Sequence, residues 1–414
     1  AVYLHSRRVG RLGLDPRGRF SLRYDATWLT ADARVPLSLG LPLREATYPD
    51  DEARPFFANL LPESEFRRVI ARRLGLSEGN DFALLEAVGG ECAGAVSVLP
   101  EDVAPRDDGA YRFLDDADLD ALMAELPRRP LLAGEEGIRL SLAGAQNKLP
   151  VLYQEGRIAL PLGGAPSSHI LKPAMALYPH TVENEAFSMG LAARVGLPVP
   201  QATILHRADN LYLVARYDRE RDADGRLLRL HQEDFCQALG VSPDRKYEKE
   251  GGPGLAACFG VLQEHSIRPV QDRQHLLQWV IFNYLLGNAD AHAKNISLML
   301  TPQGPGLAPF YDLLCTAVYP ELTGRLAMAI GGEDRPDWVI GRRWRRFAEE
   351  VDIGYKLVRR TLLEQSEGLP GHAAAQAEAF RAAHGDSEVL SPILGVIEQR
   401  CRKTVRALDA DGGA

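Results

Sequence analysis

The chain has 414 residues, 45% hydrophobic and 25% charged, which is enough apolar material for a sizeable core and carries no compositional sign of global disorder. Its 48 basic and 56 acidic residues leave a net charge of -8, which disfavours a nucleic-acid binder that acts alone. The five cysteines are scattered and form no CxxC pair, so neither a disulfide framework nor a cysteine zinc site is indicated, and a reducing cytoplasm fits best.

The first residues, Ala-Val-Tyr-Leu-His-Ser-Arg-Arg, lead into no apolar stretch, so no secretory signal is expected. Residues 1–100 read as a small β-rich unit, with short apolar runs such as Val9 to Leu14 and Phe20 to Tyr24. A helix is predicted over Glu65 to Leu74, its arginines forming a solvated face. The acidic stretch Pro100 to Asp120 reads as a linker running into a short helix. A strand-rich unit over 101–230 follows. It has a hairpin at Leu149 to Tyr153 and Arg157 to Leu160, and a strand ending at Lys172-Pro173. A helix over Val182 to Arg194 has Thr181 as N-cap and Gly196 as stop. Strands are predicted at Ala202 to Leu205 and Leu211 to Ala215. From His231 to the end the chain reads as mostly helical, and its most apolar helix, Leu276 to Gly287, falls short of the roughly 20 residues a bilayer needs. No membrane association is expected.

The chemistry concentrates in Asn288-Ala-Asp-Ala-His-Ala-Lys-Asn295. A buried helix ends at Gly287, and Asp290 and Asn295 follow in a loop. A strand over Ile296 to Leu300 and a second one ending at Phe310-Tyr311-Asp312 come next. Helix, loop with Asp and Asn, hairpin, then Asp is the order of parts in a kinase C-lobe. Phosphoryl transfer needs one carboxylate to accept the proton of the attacking hydroxyl. It also needs oxygen donors, here Asn295 and Asp312, to hold Mg²⁺ against the phosphates of ATP. Lys294 is placed to offset charge on the moving phosphoryl group. A metal-dependent hydrolase using Asp290, His292 and Asp312 is disfavoured, since no second histidine lies at ligand spacing. Upstream, the small residues of Ser141-Leu-Ala-Gly-Ala-Gln-Asn-Lys148 would let backbone N–H groups approach phosphates, although neither GxGxxG nor a Walker pattern is present. Lys172, closing an apolar strand, can reach phosphates with help from Glu183 or Glu185.

Together these segments resemble the HipA family, serine/threonine kinase toxins of bacterial toxin–antitoxin pairs. The resemblance also rests on Pro36-Leu-Ser-Leu39, Phe56-Phe-Ala-Asn-Leu-Leu-Pro62 and Gly89-Gly-Glu-Cys-Ala-Gly-Ala95. Further along it rests on Val182-Glu-Asn-Glu185, Arg216-Tyr-Asp-Arg219, His231-Gln-Glu-Asp-Phe-Cys-Gln237 and Lys246-Tyr-Glu248. It implies an α+β, two-lobed protein-kinase-like fold with an extra N-terminal β-rich subdomain and a mostly helical C-lobe over 231–414. Asp290 would be the catalytic base, and Asn295 and Asp312 the magnesium ligands. Lys172 would hold phosphates beneath a loop of Ala143, Gly144, Ala145, Gln146, Asn147 and Lys148. Ala215, Arg216 and Tyr217 would form the hinge that grips adenine through its backbone. His292, Lys294 and Tyr311 complete the expected nucleotide site. Ser141 matches the serine these kinases phosphorylate on themselves. The implied substrate is an aminoacyl-tRNA synthetase. The implied partner is a small helix-turn-helix antitoxin, through which this acidic chain would reach operator DNA. Asp290 is not preceded by His-Arg, and Asp312 is followed by Leu-Leu rather than Phe-Gly. A small-molecule or lipid kinase is therefore the alternative enzyme. A co-repressor scaffold with little activity is the alternative of another class, against which the intact Asp290, Asn295, Asp312 and Lys172 argue.

Overall fold

A computed structural model describes residues 1–105, 109–134, 140–144 and 146–412. The N-terminal unit is a four-stranded antiparallel sheet in the order β3-β2-β1-β4, built from β1 (Val2–Leu4), β2 (Arg7–Leu14), β3 (Phe20–Tyr24) and β4 (Val96–Val98). It is less purely β than its sequence suggests. Four helices, α1 (Ala26–Leu29), α2 (Asp50–Ala58), α3 (Ser64–Leu74) and α4 (Asp81–Val88), lie between β3 and β4. Phe56 and Phe57 of α2 are fully buried against this sheet's core.

The middle unit is a six-stranded sheet in the order β5-β7-β6-β8-β10-β9, antiparallel throughout. Its parts are β5 (Ala110–Phe113), helix α5 (Asp116–Glu125), β6 (Leu149–Gln154), β7 (Arg157–Leu162), β8 (His169–Pro173), helix α6 (Thr181–Arg194), β9 (Ala202–Leu205) and β10 (Leu211–Ala215). The stretch expected to be linker thus contributes β5 to the edge of the sheet. Side chains alternate across a strand, and this sheet uses the alternation to divide two cores. Leu171, Leu211 and Leu213 join the N-terminal core, whereas Tyr212 and Val214 face the core of the C-terminal unit. Lys172 sits between Leu171 and Pro173, on the same side as Tyr212, and so points toward α6. Thr181 is the first residue of α6, not its cap. His180 caps the helix in the left-handed region at φ 58°, and the Thr181 hydroxyl instead accepts the Met175 N–H at 2.9 Å.

The C-terminal unit opens with short strands β11 (Arg219–Arg221), β12 (Leu227–Arg229) and β13 (Gln232–Asp234). Helices α7 (Phe235–Ala238), α8 (Leu255–His265) and α9 (Pro269–Leu286) follow, then the hairpin β14 (Ser297–Thr301) and β15 (Gly304–Leu307). It closes with α10 (Gly341–Glu350), α11 (Tyr355–His384) and α12 (Leu390–Gly412). The second half of helix α9 is buried nearly all round, from Leu276 to Leu286, as suits a core helix. It stops at Gly287, where φ is 87° and a Cβ would stand 2.8 Å from a Val396 methyl, so both backbone and packing call for glycine. The second strand of the hairpin ends at Leu307, short of the expected Asp312, because the chain leaves the sheet and Phe310 donates its N–H to Pro198. Trp344 and Phe347 of α10 are buried. Among the described residues no helix is long and apolar enough to cross a membrane.

Candidate active site

A cleft of about 290 Å³ runs between the middle sheet and the C-terminal unit. At its centre is Lys172. Its ammonium lies 2.8 Å from Glu185 of α6 and 2.9 Å from Asp312. The pairing therefore goes to Glu185; Glu183, two residues earlier, turns to Asn210 instead. Burial lowers the Lys172 pKa, but the two carboxylates outweigh it and hold the lysine charged well above its usual range. Burial pushes the Glu185 carboxyl up, and the Lys172 charge offsets this only in part.

Asp312 adopts φ 60°, a strained region for a residue with a Cβ and one found mainly where function over-determines the backbone. It is held by Lys172 on one oxygen and by the Asn295 amide, at 3.0 Å, on the other. Burial would raise its pKa, yet Lys172 keeps it below the ordinary carboxylate range. Asn295 is fixed in turn, since its side-chain oxygen accepts the His292 N–H at 3.1 Å. An ionised carboxylate with free lone pairs beside an amide oxygen is a donor set that suits a hard divalent cation.

Asp290 stands exposed at the cleft mouth, in the loop that Gly287 starts. Its N–H donates to the Asn288 side chain at 3.1 Å, and the Ala289 N–H donates to Thr316 at 2.7 Å, so the loop is anchored before the carboxylate is presented. The Tyr247 hydroxyl donates to one Asp290 oxygen at 2.7 Å. His292 is buried beneath Tyr247, edge-on at 5.3 Å, and burial pushes its pKa down. It packs the loop and lines the cleft beside the exposed Asp290.

The remaining expected residues fall into place unevenly. Ala143, Gly144, Gln146 and Lys148 line the cleft, with Gly144 at φ 114°. Ala145 lies outside the described residues. Asn147 and Ser141 are not on the wall. Ser141 is fully buried behind it, donating its hydroxyl to Leu60 at 2.7 Å and its N–H to Glu91 at 2.8 Å. Burial, then the charge of Lys172, pushes Lys148 down to about 8. At the hinge, the N–H groups of Ala215 and Arg216 are engaged by Gln201 and Ser168, so among the described residues the Tyr217 N–H is the one of the three left for a ligand. The Arg216 guanidinium is tied into a buried network with Asp218, Ser167 and Glu91. Tyr311 stacks on Tyr217 at 5.5 Å and donates its hydroxyl to the Lys294 carbonyl.

Lys294 is engaged otherwise than its sequence position suggested. Its ammonium is buried and shared by Asn59 at 2.6 Å, Asp234 at 3.0 Å and Glu63 at 3.5 Å. Glu63 also meets Lys246 at 2.8 Å. Asn59 and Glu63 come from the N-terminal unit, which thereby reaches the cleft. Sequence reasoning assigned no role to Asn59, Glu63, Asp234 or Tyr247. The only signal was that three of the four lie in segments shared with the HipA family.

The family model described as the HipA N-terminal domain matches residues 1–99, and the HipA-like C-terminal domain matches 140–373. The chain is 47% identical over 369 residues to a Sinorhizobium fredii protein named "Putative kinase Y4mE", covering 87% of each. It is 32% identical over 382 residues to the "Serine/threonine-protein kinase toxin HipA" of Shewanella oneidensis, covering 89% of this chain and 87% of the relative. It superposes with a TM-score of 0.87 and 30% identity on a chain of the solved complex of Shewanella oneidensis HipA, HipB and operator DNA, covering 99% of this chain and 98% of that one. The fold is thus the two-lobed α+β kinase-like one that the sequence implied, and the chain belongs to the HipA family of protein kinases.

Proposed function

We propose that the chain is the kinase toxin of a toxin–antitoxin pair, working in the cytoplasm. It would use ATP with Mg²⁺ to phosphorylate a serine or threonine of a translation protein in the aminoacyl-tRNA synthetase class. The observation that carries this reading is the convergence of Lys172, Glu185, Asp312 and Asn295 on one cleft with Asp290 at its mouth. Asn295 and Asp312 would hold the metal ion, which when bound neutralises phosphate charge. Lys172, kept ionised, holds phosphate oxygens, and the Tyr217 N–H meets adenine. Asp290 accepts the proton of the acceptor hydroxyl as its oxygen bonds to the γ-phosphorus. The bond from that phosphorus to the β–γ bridging oxygen breaks, and ADP leaves. The test is mass spectrometry of lysate proteins incubated with purified chain and Mg-ATP, with Asp290→Asn as control. A new phosphoserine or phosphothreonine on an aminoacyl-tRNA synthetase, in the wild-type sample alone, is expected. Modification confined to proteins outside translation would overturn the substrate class.

Ser141 is proposed as a site of self-inactivation. A phosphate of about -1.5 to -2 charges cannot occupy its present place, fully buried against the Leu60 carbonyl. The segment must come out for modification, and it would be held out afterwards, which removes Ala143, Gly144, Gln146 and Lys148 from the cleft. Phosphopeptide mapping after long incubation with Mg-ATP is expected to find modified Ser141, and Ser141→Asp is expected to bind nucleotide more weakly. Unmodified Ser141 together with unchanged affinity of the variant would refute this.

The partner is proposed to be a small basic helix-turn-helix antitoxin that brings the chain to operator DNA. The likeness to the HipA chain of the Shewanella complex, which also contains HipB and operator DNA, supports it, as does the net charge of -8. In the basic run of α10, Arg343 is paired with Glu333 and Arg346 with Glu350, which favours an indirect route to DNA. A gel shift is expected to give no specific band for the chain alone and a supershift with the partner that weakens as salt rises. Tight, specific operator binding by the isolated chain would contradict it.

A further inference from the structure

Beside the nucleotide cleft lies a second cavity of about 400 Å³. The two share Met175, Thr181, Asp290 and Leu314, so they meet at the candidate base. The far wall of the second cavity is apolar and aromatic, made by Tyr178, Tyr319, Leu322 and Leu326. It is built rigidly. The Tyr178 and Tyr319 rings pack at 5.4 Å, and the Tyr319 hydroxyl accepts from the buried Asn184, which is itself locked to both backbone groups of Cys315. On the opposite side the Ala327 N–H donates to the carbonyl of Ala289, next to Asp290, at 2.9 Å. Besides Asp290, the charged lining residues are Arg325, already paired with Asp334 at 2.7 Å, and the exposed Lys249 and Glu250 just after Tyr247 in the chain. The turn that supplies Met175 and Tyr178 also holds Leu177 out in solvent at 82% exposure. An apolar lip therefore continues the apolar wall.

We propose that this cavity is the acceptor-side specificity pocket, taking a large apolar side chain that flanks the phosphorylated serine or threonine of the protein substrate. The inference rests on Asp290 being the base. Nucleotide phosphates approach from the side of Lys172, so the acceptor hydroxyl reaches Asp290 from the side the nucleotide does not fill. The segment that carries this hydroxyl then passes over the cavity. Its volume has room for one or two large side chains. Tyr247, which lines this cavity and binds one Asp290 oxygen, leaves the other oxygen for the acceptor.

The experiment uses the full chain and an acceptor protein identified from lysate by site mapping. Leu322→Trp fills the cavity. It is expected to lower catalytic efficiency toward the acceptor by about tenfold or more, with Mg-ATP affinity within about twofold of wild type. Replacing the large apolar residue nearest the acceptor site by Ala is expected to cost the wild-type enzyme a similar factor. It should add little on top of Leu322→Trp, because the two changes act on one contact. Should Leu322→Trp fold poorly, Tyr178→Ala on the same wall replaces it. Wild-type efficiency in the cavity variant, an acceptor site with no large apolar neighbour, or full additivity would each overturn the pocket. An enzyme that labels no protein at all, or an Asp290→Asn variant that labels as well as wild type, would instead overturn the underlying reading and the pocket with it.

Discussion

Asp290→Asn is expected to lower phosphoryl transfer by about 10³-fold while leaving the fold intact. The two side chains differ little in volume, and Asp290 is exposed, so no packing is lost. The Asn oxygen can still accept the Tyr247 hydroxyl that now donates to Asp290. What disappears is the capacity to take a proton. Asp312→Asn gives the contrasting result. It removes one of the two carboxylates around the Lys172 ammonium and the only carboxylate in the proposed metal site, so Mg-ATP binding is expected to weaken along with the rate. Incorporation of labelled phosphate, nucleotide titration and a thermal melt on the same preparations separate the two roles. A wild-type rate in folded Asp290→Asn would remove it from the mechanism.

The parts of this site that were legible in the sequence are those whose signal is local. The strand that ends at Lys172, the hairpin before it and the α9 helix that stops at Gly287 each carry their periodicity and their turn residue within a short window. The structure has the strands and the end of the helix within a residue or two of the expected bounds, while α9 begins earlier, at Pro269 rather than Leu276. The end of the second hairpin was not legible. Ala308-Pro-Phe310 continues an apolar run, but Phe310 pairs with Pro198, more than a hundred positions away, and leaves the sheet. Helix α2 was hidden by Pro55, which reads as a breaker although the helix runs through it to bury Phe56 and Phe57. The choice between Glu183 and Glu185 depended on the rotation of α6 against β8, which no spacing along the chain encodes. The same holds for Arg216. Its place directly after β10 was readable, but the turn of its guanidinium toward Glu91 depends on how the N-terminal unit docks.

That docking is also what makes Glu63→Gln the most informative change outside the catalytic loop, with losses expected in both stability and turnover. Glu63 is buried at the base of the N-terminal unit and faces two ammonium groups, Lys246 at 2.8 Å and Lys294 at 3.5 Å. Burial alone would raise its pKa. The charges of Lys294 and Lys246 outweigh that and bring it to about 2. A carboxyl whose folded pKa lies below its unfolded value of about 4.3 stabilises the protein fully above that value, and the contribution is lost as pH falls toward the folded pKa. Removing the charge leaves two cations close together, with only Asp234 as a carboxylate partner for Lys294. The cost at pH 7 is expected to be about 3 kcal/mol, the low end for breaking a buried pair. The gap between wild type and variant, followed by denaturant unfolding, is expected to close between about pH 4.3 and pH 2. Equal stability at pH 7, or a gap that persists unchanged at acid pH, would show that Glu63 is not ionised against these lysines. Turnover is expected to fall on the order of tenfold in the folded variant, because Lys294 sits in the loop that presents Asp290 and loses part of what orients it. A variant that loses stability but keeps full turnover at saturating Mg-ATP would confine Glu63 to holding the N-terminal unit in place. Loss of both would make that unit a working part of the kinase site.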